Sequence, residues 1–328
     1  MNETPRRGTV IRKYKHHYIV EVGDEEMLCG ISSKLRKRLE YPEADPASRR
    51  QRVQAVRSIS AVDPVVVGDE VLVEPGEEIS MIMEVLPRRT TLSREAPGRR
   101  HLEQVIAANI DQVIVVVSAQ APPFREDLLD RVLCGAEYQE LGACICLNKI
   151  DLGVPPEVSR MVSIYPSLGY PVIETSALTE EGIEHFRKQV RGKTSVAIGL
   201  SGVGKTSLIN ALEPGLGLRV APVNRRTGLG RHTTTTLSLL RLGSGGHIVD
   251  APGLRELGIW EIAAEDIPHL FPEFRPMQGR CRFGNTCAHD REPGCAVKDA
   301  VERGLIAPHR YASYLTIRKE IEAKEPRY

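Results

Sequence analysis

The chain lacks any apolar run approaching the roughly 18 residues that a membrane-spanning helix needs. Its first residues, MNETPRRGTVIRKYKHH, lack the apolar core of a secretory signal. Together these absences predict a cytoplasmic protein with no membrane contact. Surplus charge is missing as well. Lys and Arg number 44 against 43 Asp and Glu, a net charge of +1, so global charge gives no sign of nucleic-acid binding and only a local patch could supply it. An even set of cysteines is also absent. There are seven, and an odd number in a cytosolic chain argues against a disulfide framework. Cys29, Cys134, Cys144 and Cys146 are scattered through apolar segments and are expected as small core residues, whereas Cys281, Cys287 and Cys295 cluster. What is present is a hydrophobic fraction of 41% over 328 residues, enough for a sizeable core divided among two or three domains.

The first part of the chain reads as strands. GTVIRKYKHHYIVEVGDEEMLCGI, VVVGDEVLVEP and EEISMIMEVLP are β-branched segments separated by Gly, Asp and Pro turns. Short strands of this kind predict a small antiparallel barrel of the OB type over residues 1–92. A basic excursion interrupts them, with Lys34, Arg36, Lys37, Arg38, Arg49, Arg50, Arg52 and Arg57. Two readings stand: a solvated loop, or a contact to an RNA phosphate backbone. Stacking partners are few (Tyr14, Tyr18 and Tyr41), which favours backbone and shape binding over base reading. A charged, turn-rich linker is expected over 93–103.

From residue 104 the pattern changes to strands alternating with helices. DQVIVVVSA, ACICLNKIDL and YPVIETSAL are strands with polar ends, and EDLLDRVLCGAEY between them has apolar residues at helical spacing. This predicts a parallel α/β sheet over 104–256 with ligands at the carboxyl ends of its strands. Within it, VAIGLSGVGKTSLINAL contains Gly199-x4-Gly204-Lys205-Thr206, the phosphate-loop pattern. The loop and helix start, Gly199, Ser201, Gly202, Val203, Gly204, Lys205, Thr206 and Ser207, are assigned to nucleotide phosphates. Glycines let backbone N–H groups close round phosphate oxygens. Lys205 would reach the β- and γ-phosphates, and Thr206 would hold Mg²⁺. Asn148, Lys149 and Asp151 end one strand, and Ser176 and Ala177 the next. A carboxylate at Asp151 can accept from the ring N–H and the exocyclic amine of guanine, a pair that adenine does not offer. After GGHIVD comes Asp250-Ala251-Pro252-Gly253. Asp250 suits a water-mediated Mg²⁺ contact and the Gly253 N–H suits the γ-phosphate.

Two positions concern hydrolysis. In Ras-like enzymes a glutamine after DxxG orients the attacking water, and here that place holds Leu254, which cannot. His232, just before the threonine run, is the nearest candidate to position the water, and a loop histidine with no catalytic part is the other reading. Among Thr233 to Thr236 one hydroxyl should complete the Mg²⁺ shell, and Thr234 is the choice. Past the sheet, Cys281-x5-Cys287-x-His289-x5-Cys295 offers three thiolates and one imidazole. That donor count suits a closed, structural Zn²⁺ site, one per chain, in a helical C-terminal domain over 257–328. Few apolar residues stand there, so the domain is expected to need its metal or a partner to fold firmly. Trp260 and Phe271 are expected to pack it onto the central domain. Arg310, Arg318, Lys319 and Lys324 add basic groups to its helices.

These are GTPase elements, but in the order NKID, TSA, phosphate loop, threonine run and DAPG, which is circularly permuted relative to Ras-like proteins. With a β-barrel before them and a cysteine/histidine segment after, and with the strings GRHTTT and CRF…H..EPGCAV, the chain resembles the RsgA (YjeQ) family of bacterial small-ribosomal-subunit biogenesis GTPases. The resemblance implies a multi-domain α/β protein: an OB-like barrel, a permuted P-loop GTPase domain and a zinc-binding helical domain. It implies GTP and GDP with Mg²⁺ as ligands, and binding to the small ribosomal subunit and its rRNA during late maturation. It also favours an active His232. Slow hydrolysis stimulated by the ribosome, and a monomer, are the matching expectations. The family usually has four residues between its first ligand pair; here five intervene. Two other classes fit the residues: a GTP-dependent switch acting on a protein partner, and an RNA-binding zinc protein with a vestigial nucleotide site.

Overall fold

Alternation of inward and outward residues closes the first five strands into a barrel. In the computed structural model, which describes residues 4–14, 17–33, 35, 65–95, 103–218, 237–250 and 262–324, these are β1 (Arg6–Lys13), β2 (Tyr18–Val22), β3 (Glu25–Ile31), β4 (Glu70–Glu74) and β5 (Ser80–Val85). Their order is β1-β2-β3-β5-β4, and β4 pairs back onto β1. The β3–β5 contact is parallel and the others antiparallel. This is the expected OB-type barrel. Val10, Val20, Val71, Val73 and Ile82 fill it, each worth about 1.5–3 kcal/mol of burial. Gly8 lets β1 bend between its two partners, since a Cβ there would lie 2.6 Å from the Glu21 carbonyl oxygen. Apart from Leu35, which is buried in the barrel, the basic stretch from Lys34 to Arg57 lies outside the described residues.

The described residues divide into two units. The first holds the barrel and also β6 (Thr91–Glu95), β7 (Glu103–Ala108), β12 (Ser238–Arg241) and β13 (His247–Asp250). β6 and β7 form an antiparallel pair, so the ends of the 93–103 stretch are strand. Fully buried Asp69 anchors this pair's approach to the barrel by taking two hydrogen bonds from Arg88, at 2.7 and 2.9 Å.

The second unit begins with β8 (Gln112–Ser118) and continues through α1 (Glu126–Tyr138), β9 (Gly142–Asn148), α2 (Pro156–Val162), β10 (Val172–Thr175), α3 (Ile183–Val190) and α4 (Lys205–Leu212). Strand β11 (Thr194–Ile198) is divided between the units after Val196. β8, β9 and β10 are parallel. β8 and β9 are continuous apolar runs because helices cover both faces of such sheets.

The C-terminal part of this unit is short 3-10 turns, then α5 (Ala296–Glu302) and α6 (Pro308–Lys324). It corrects the expectation of a segment poor in core. Phe271, Phe274, Tyr314, Ile317 and Ile321 pack round the three cysteines, and Cys134 of α1 joins them. Phe271 is thus a core residue as expected; Trp260 lies outside the described residues. Arg310, one of the basic residues of these helices, is 1% exposed. Its guanidinium donates to Asp130 of α1 at 2.6 Å and to Glu273 at 2.7 and 3.2 Å, and it lies 4.6 Å from the Phe271 ring centre. Tyr165 donates to the same Asp130 oxygen at 2.7 Å. Although burial opposes the charge, the two carboxylates keep Arg310 protonated.

Removing one partner of such a buried group leaves uncompensated charge. Arg310→Ala is expected to destabilise the second unit by about 3–5 kcal/mol, read as faster hydrogen exchange through α6. Glu322→Ala, which removes only the exposed partner of Arg318, should change stability by less than about 0.5 kcal/mol.

Candidate functional site

Register sets the site. Ser118, Asn148 and Thr175 are paired across the ends of β8, β9 and β10, so three loops leave the sheet from one edge. Asn148 is 1% exposed. Its Oδ1 accepts from Thr175 Oγ1 at 3.2 Å and from the Ala177 N–H at 3.3 Å. Its Nδ2 donates to the Val203 carbonyl at 2.8 Å. A Cβ at Gly204 (φ +98°) would stand 2.3 Å from that nitrogen, so only glycine fits there.

Lys149 stands in the left-handed region (φ 65°), which turns its side chain back over the phosphate loop. Its Nζ donates to the carbonyls of Gly202 at 2.6 Å and Ala121 at 2.5 Å. Partial burial lowers its pKa while Asp151 opposes the shift. Asp151 remains exposed, with Oδ1 accepting from Ser176 Oγ at 2.6 Å. One carboxylate oxygen is therefore fixed and the group faces outward. Ser176 is itself held, since its hydroxyl accepts from the N–H groups of Leu178 and Thr179.

The phosphate loop leaves β11 at Gly199, where a Cβ would lie 2.1 Å from the Val116 carbonyl oxygen. Gly202 (φ +87°) and Gly204 give the left-handed bends. Lys205 Nζ donates to the carbonyls of Gly199 at 2.7 Å and Leu200 at 3.0 Å, spanning its own loop. Ser201, Thr206 and Ser207 are half-buried. Val203 is buried at 2% and can offer a ligand only its backbone N–H. Asp250 ends β13 opposite Ser238 and belongs to the first unit. His232, Thr234 and Gly253 lie outside the described residues.

The cysteine cluster converges. One ligand atom from each of Cys281, Cys287, His289 and Cys295 lies within 4.8 Å of the rest, and all four residues are buried. His289 Nδ1 is 3.5 Å from Cys281 Sγ and 3.3 Å from Cys295 Sγ, and those sulfurs are 3.9 Å apart. A tetrahedral zinc ion, with bonds of about 2.3 Å to sulfur and 2.0 Å to nitrogen, spaces its ligands about 3.5–3.8 Å apart. The donors fit that ion. Burial pushes the Cys287 thiol up to about 12 and keeps His289 neutral, so a divalent cation is the charge that would stabilise thiolates here. Between Cys281 and Cys287 the chain makes a 3-10 turn, Gly284–Thr286. Outer contacts hold the loop: Tyr311 and Tyr314 each donate at 2.6 Å, to the carbonyls of His289 and Ala288, and the Ala296 N–H points at Cys281 Sγ at 3.3 Å.

Residues 85–260 match the sequence profile of the RsgA GTPase family. The chain belongs to that family. It is therefore a GTP hydrolase. A Moorella thermoacetica protein named small ribosomal subunit biogenesis GTPase RsgA is 37% identical over 97% of this chain and 98% of its own length, so the likeness includes the barrel and the cysteine segment. A Gemmatimonas aurantiaca protein of the same name is 48% identical over 73% of this chain and 78% of its own. Crystal structures agree in fold. YjeQ from Thermotoga maritima superposes with a TM-score of 0.74 at 33% identity, covering 98% of this chain and 100% of its own. YloQ, described as a circularly permuted GTPase, gives 0.69 at 27% identity over 100% and 98%. The permuted order read from the motifs is thus the family's order.

The sequence reading missed the internal role of the lysines. Besides the ligand roles read for them, Lys149 and Lys205 are each bonded to loop carbonyls. A glycine-rich loop exposes carbonyls as well as N–H groups, and that is the signal that could have shown it. Asn148→Ala removes three hydrogen bonds at a buried position and is expected to weaken GDP binding about tenfold or more, measured by titration calorimetry.

Proposed function

We propose that this GTPase binds the small ribosomal subunit during its late maturation and leaves after hydrolysis. The observation that carries the nucleotide part is the joining of the base loops to the phosphate loop through Asn148. On this reading Asn148, Lys149, Asp151, Ser176 and Ala177 bind guanine. Gly199, Ser201 to Ser207, Asp250 and Gly253 bind the phosphates. Mg²⁺ would be held by Thr206 and Thr234, and His232 would position the attacking water. Lys205 exchanges its carbonyl partners for phosphate oxygens when nucleotide enters, since an ammonium has three donors to place.

The assembly role rests on the relatives' names. The barrel, with its basic stretch, would contact rRNA, and the C-terminal domain would make a second contact. A structural zinc ion, one per chain, would sit among Cys281, Cys287, His289 and Cys295. Domain boundaries at 92, 103 and 256 belong to the same reading. No helix among the described residues is long and apolar enough to cross a membrane. A cytoplasmic, monomeric factor is part of the same proposal.

Hydrolysis measured alone, with small subunits and with large subunits separates the readings. Stimulation by small subunits only is expected, and equal rates in all three would sink the proposal. Asp151→Asn should weaken GTP binding about a hundredfold, because an amide can accept from only one of guanine's two donors and sets its own NH₂ against the other; unaltered affinity would overturn the guanine assignment. Elemental analysis should find about one zinc per chain, falling in Cys295→Ser, as a four-donor site requires.

A further inference from the structure

The turn that carries Asp151 ends on two carbonyl groups that the turn itself does not serve. Ile150–Leu152 is a single 3-10 turn between left-handed Lys149 and Gly153 (φ 85°). Within it, Leu152 N–H donates to the Lys149 carbonyl at 3.1 Å and Gly153 N–H to the Ile150 carbonyl at 2.8 Å. The carbonyls of Leu152 and Gly153 come last, where helical carbonyls have no partner in the helix. The Gln120 side chain serves both. Its Nε2 donates to Leu152 at 2.6 Å and to Gly153 at 3.0 Å.

Gln120 is itself held in place. The Ala121 N–H donates to Ser118 Oγ at 3.0 Å, which folds the loop after β8 into a turn. Lys149 Nζ then donates to the Ala121 carbonyl. The two loops grip each other in both directions, Gln120 to the Asp151 turn and Lys149 back to the Gln120 loop. Packing does little for the turn: Asp151, Leu152 and Gly153 are all exposed, and Ile150 alone rests against the small apolar cluster of Leu147, Val158 and Val162. Polar ties therefore set where the Asp151 carboxylate points.

We propose that Gln120 is a positioning residue for base selection. It touches no nucleotide atom. By capping the turn it keeps the carboxylate of Asp151 aligned with the base edge, alongside the Ser176 hydroxyl. This rests on the guanine reading of Asp151. Without the cap the turn tilts, and the part of the affinity that depends on two hydrogen bonds to the base falls. The part that depends on the phosphate loop does not.

Titration calorimetry with GDP, IDP, ADP and inorganic pyrophosphate on the full chain tests this. IDP keeps the ring N–H of guanine but lacks the exocyclic amine, so the GDP to IDP ratio reports the alignment of Asp151. Gln120→Ala is expected to weaken GDP about fivefold, the equivalent of one ordinary hydrogen bond. IDP should weaken less, narrowing the ratio by about twofold to threefold, with pyrophosphate binding unchanged. Gln120→Glu sets a carboxylate against two carbonyls and should lose more than the alanine variant. Equal losses for GDP and IDP, or none, would overturn the proposal while leaving the guanine reading intact. A wild-type chain that binds ADP as tightly as GDP removes the guanine reading, and the role of Gln120 goes with it.

Discussion

One buried carboxamide, that of Asn148, decides how the candidate nucleotide site holds together. It accepts from the loop after β10 and donates to the phosphate loop, so the loops proposed to take base and phosphates cannot shift independently. Away from water such a network is stronger than its parts are in solvent, and leaving it half made is correspondingly costly. The neighbouring residues are chosen to suit it. Gly204 leaves room for the amide, and Thr175, fully buried, offers a hydroxyl in register. Lys149 reinforces the same joint through Gly202.

The fold was legible where periodicity or turn chemistry speaks locally. The barrel strands alternate, the sheet strands are continuous apolar runs, and glycines mark the phosphate loop. Asn148, Thr175 and Asp250 were read as strand ends, and there they lie. What could not be read was the address of a charge. Arg310 is one of four basic residues noted near the C-terminus, and nothing in its neighbourhood marks it as buried. Its partners lie 180 residues away at Asp130 and 37 away at Glu273. The same holds for the aromatic core of the C-terminal part: Phe271 and Phe274 lie well before Tyr314 in sequence and pack edge to face against it, so a local count of apolar residues understates them.

Two sources of cohesion meet in that C-terminal part. The donors of the cysteine cluster are tied to α6 through Tyr311 and Tyr314, and α6 is tied to α1 through Arg310. Helix α1 also takes Arg275 at Glu137 and offers Arg131 to Glu320. It serves as the wall between the parallel strands and the cysteine cluster, and its charged face is what the cluster's scaffold reads. A metal ion there would stabilise a loop already framed by an apolar core, rather than substitute for one.

The permutation is cheap for the same reason the site is exact in register. Hydrogen bonds between parallel strands depend on which strands are neighbours, not on the order in which the chain visits them. In an ordinary Ras-like order the phosphate-loop strand comes first and the TSA strand, with its helix, last. Here the two are joined by Arg191–Lys193 between α3 and β11, a turn closed by the Lys193 N–H on the Val190 carbonyl and bent at Gly192 (φ +70°). So short a closure costs little loop entropy. It leaves the pairing of Ser118, Asn148 and Thr175 untouched. The new end of the permuted sheet then falls beyond β13, and the chain can follow it with the cysteine-cluster segment, whose last helix returns to α1, the first helix of the permuted sheet.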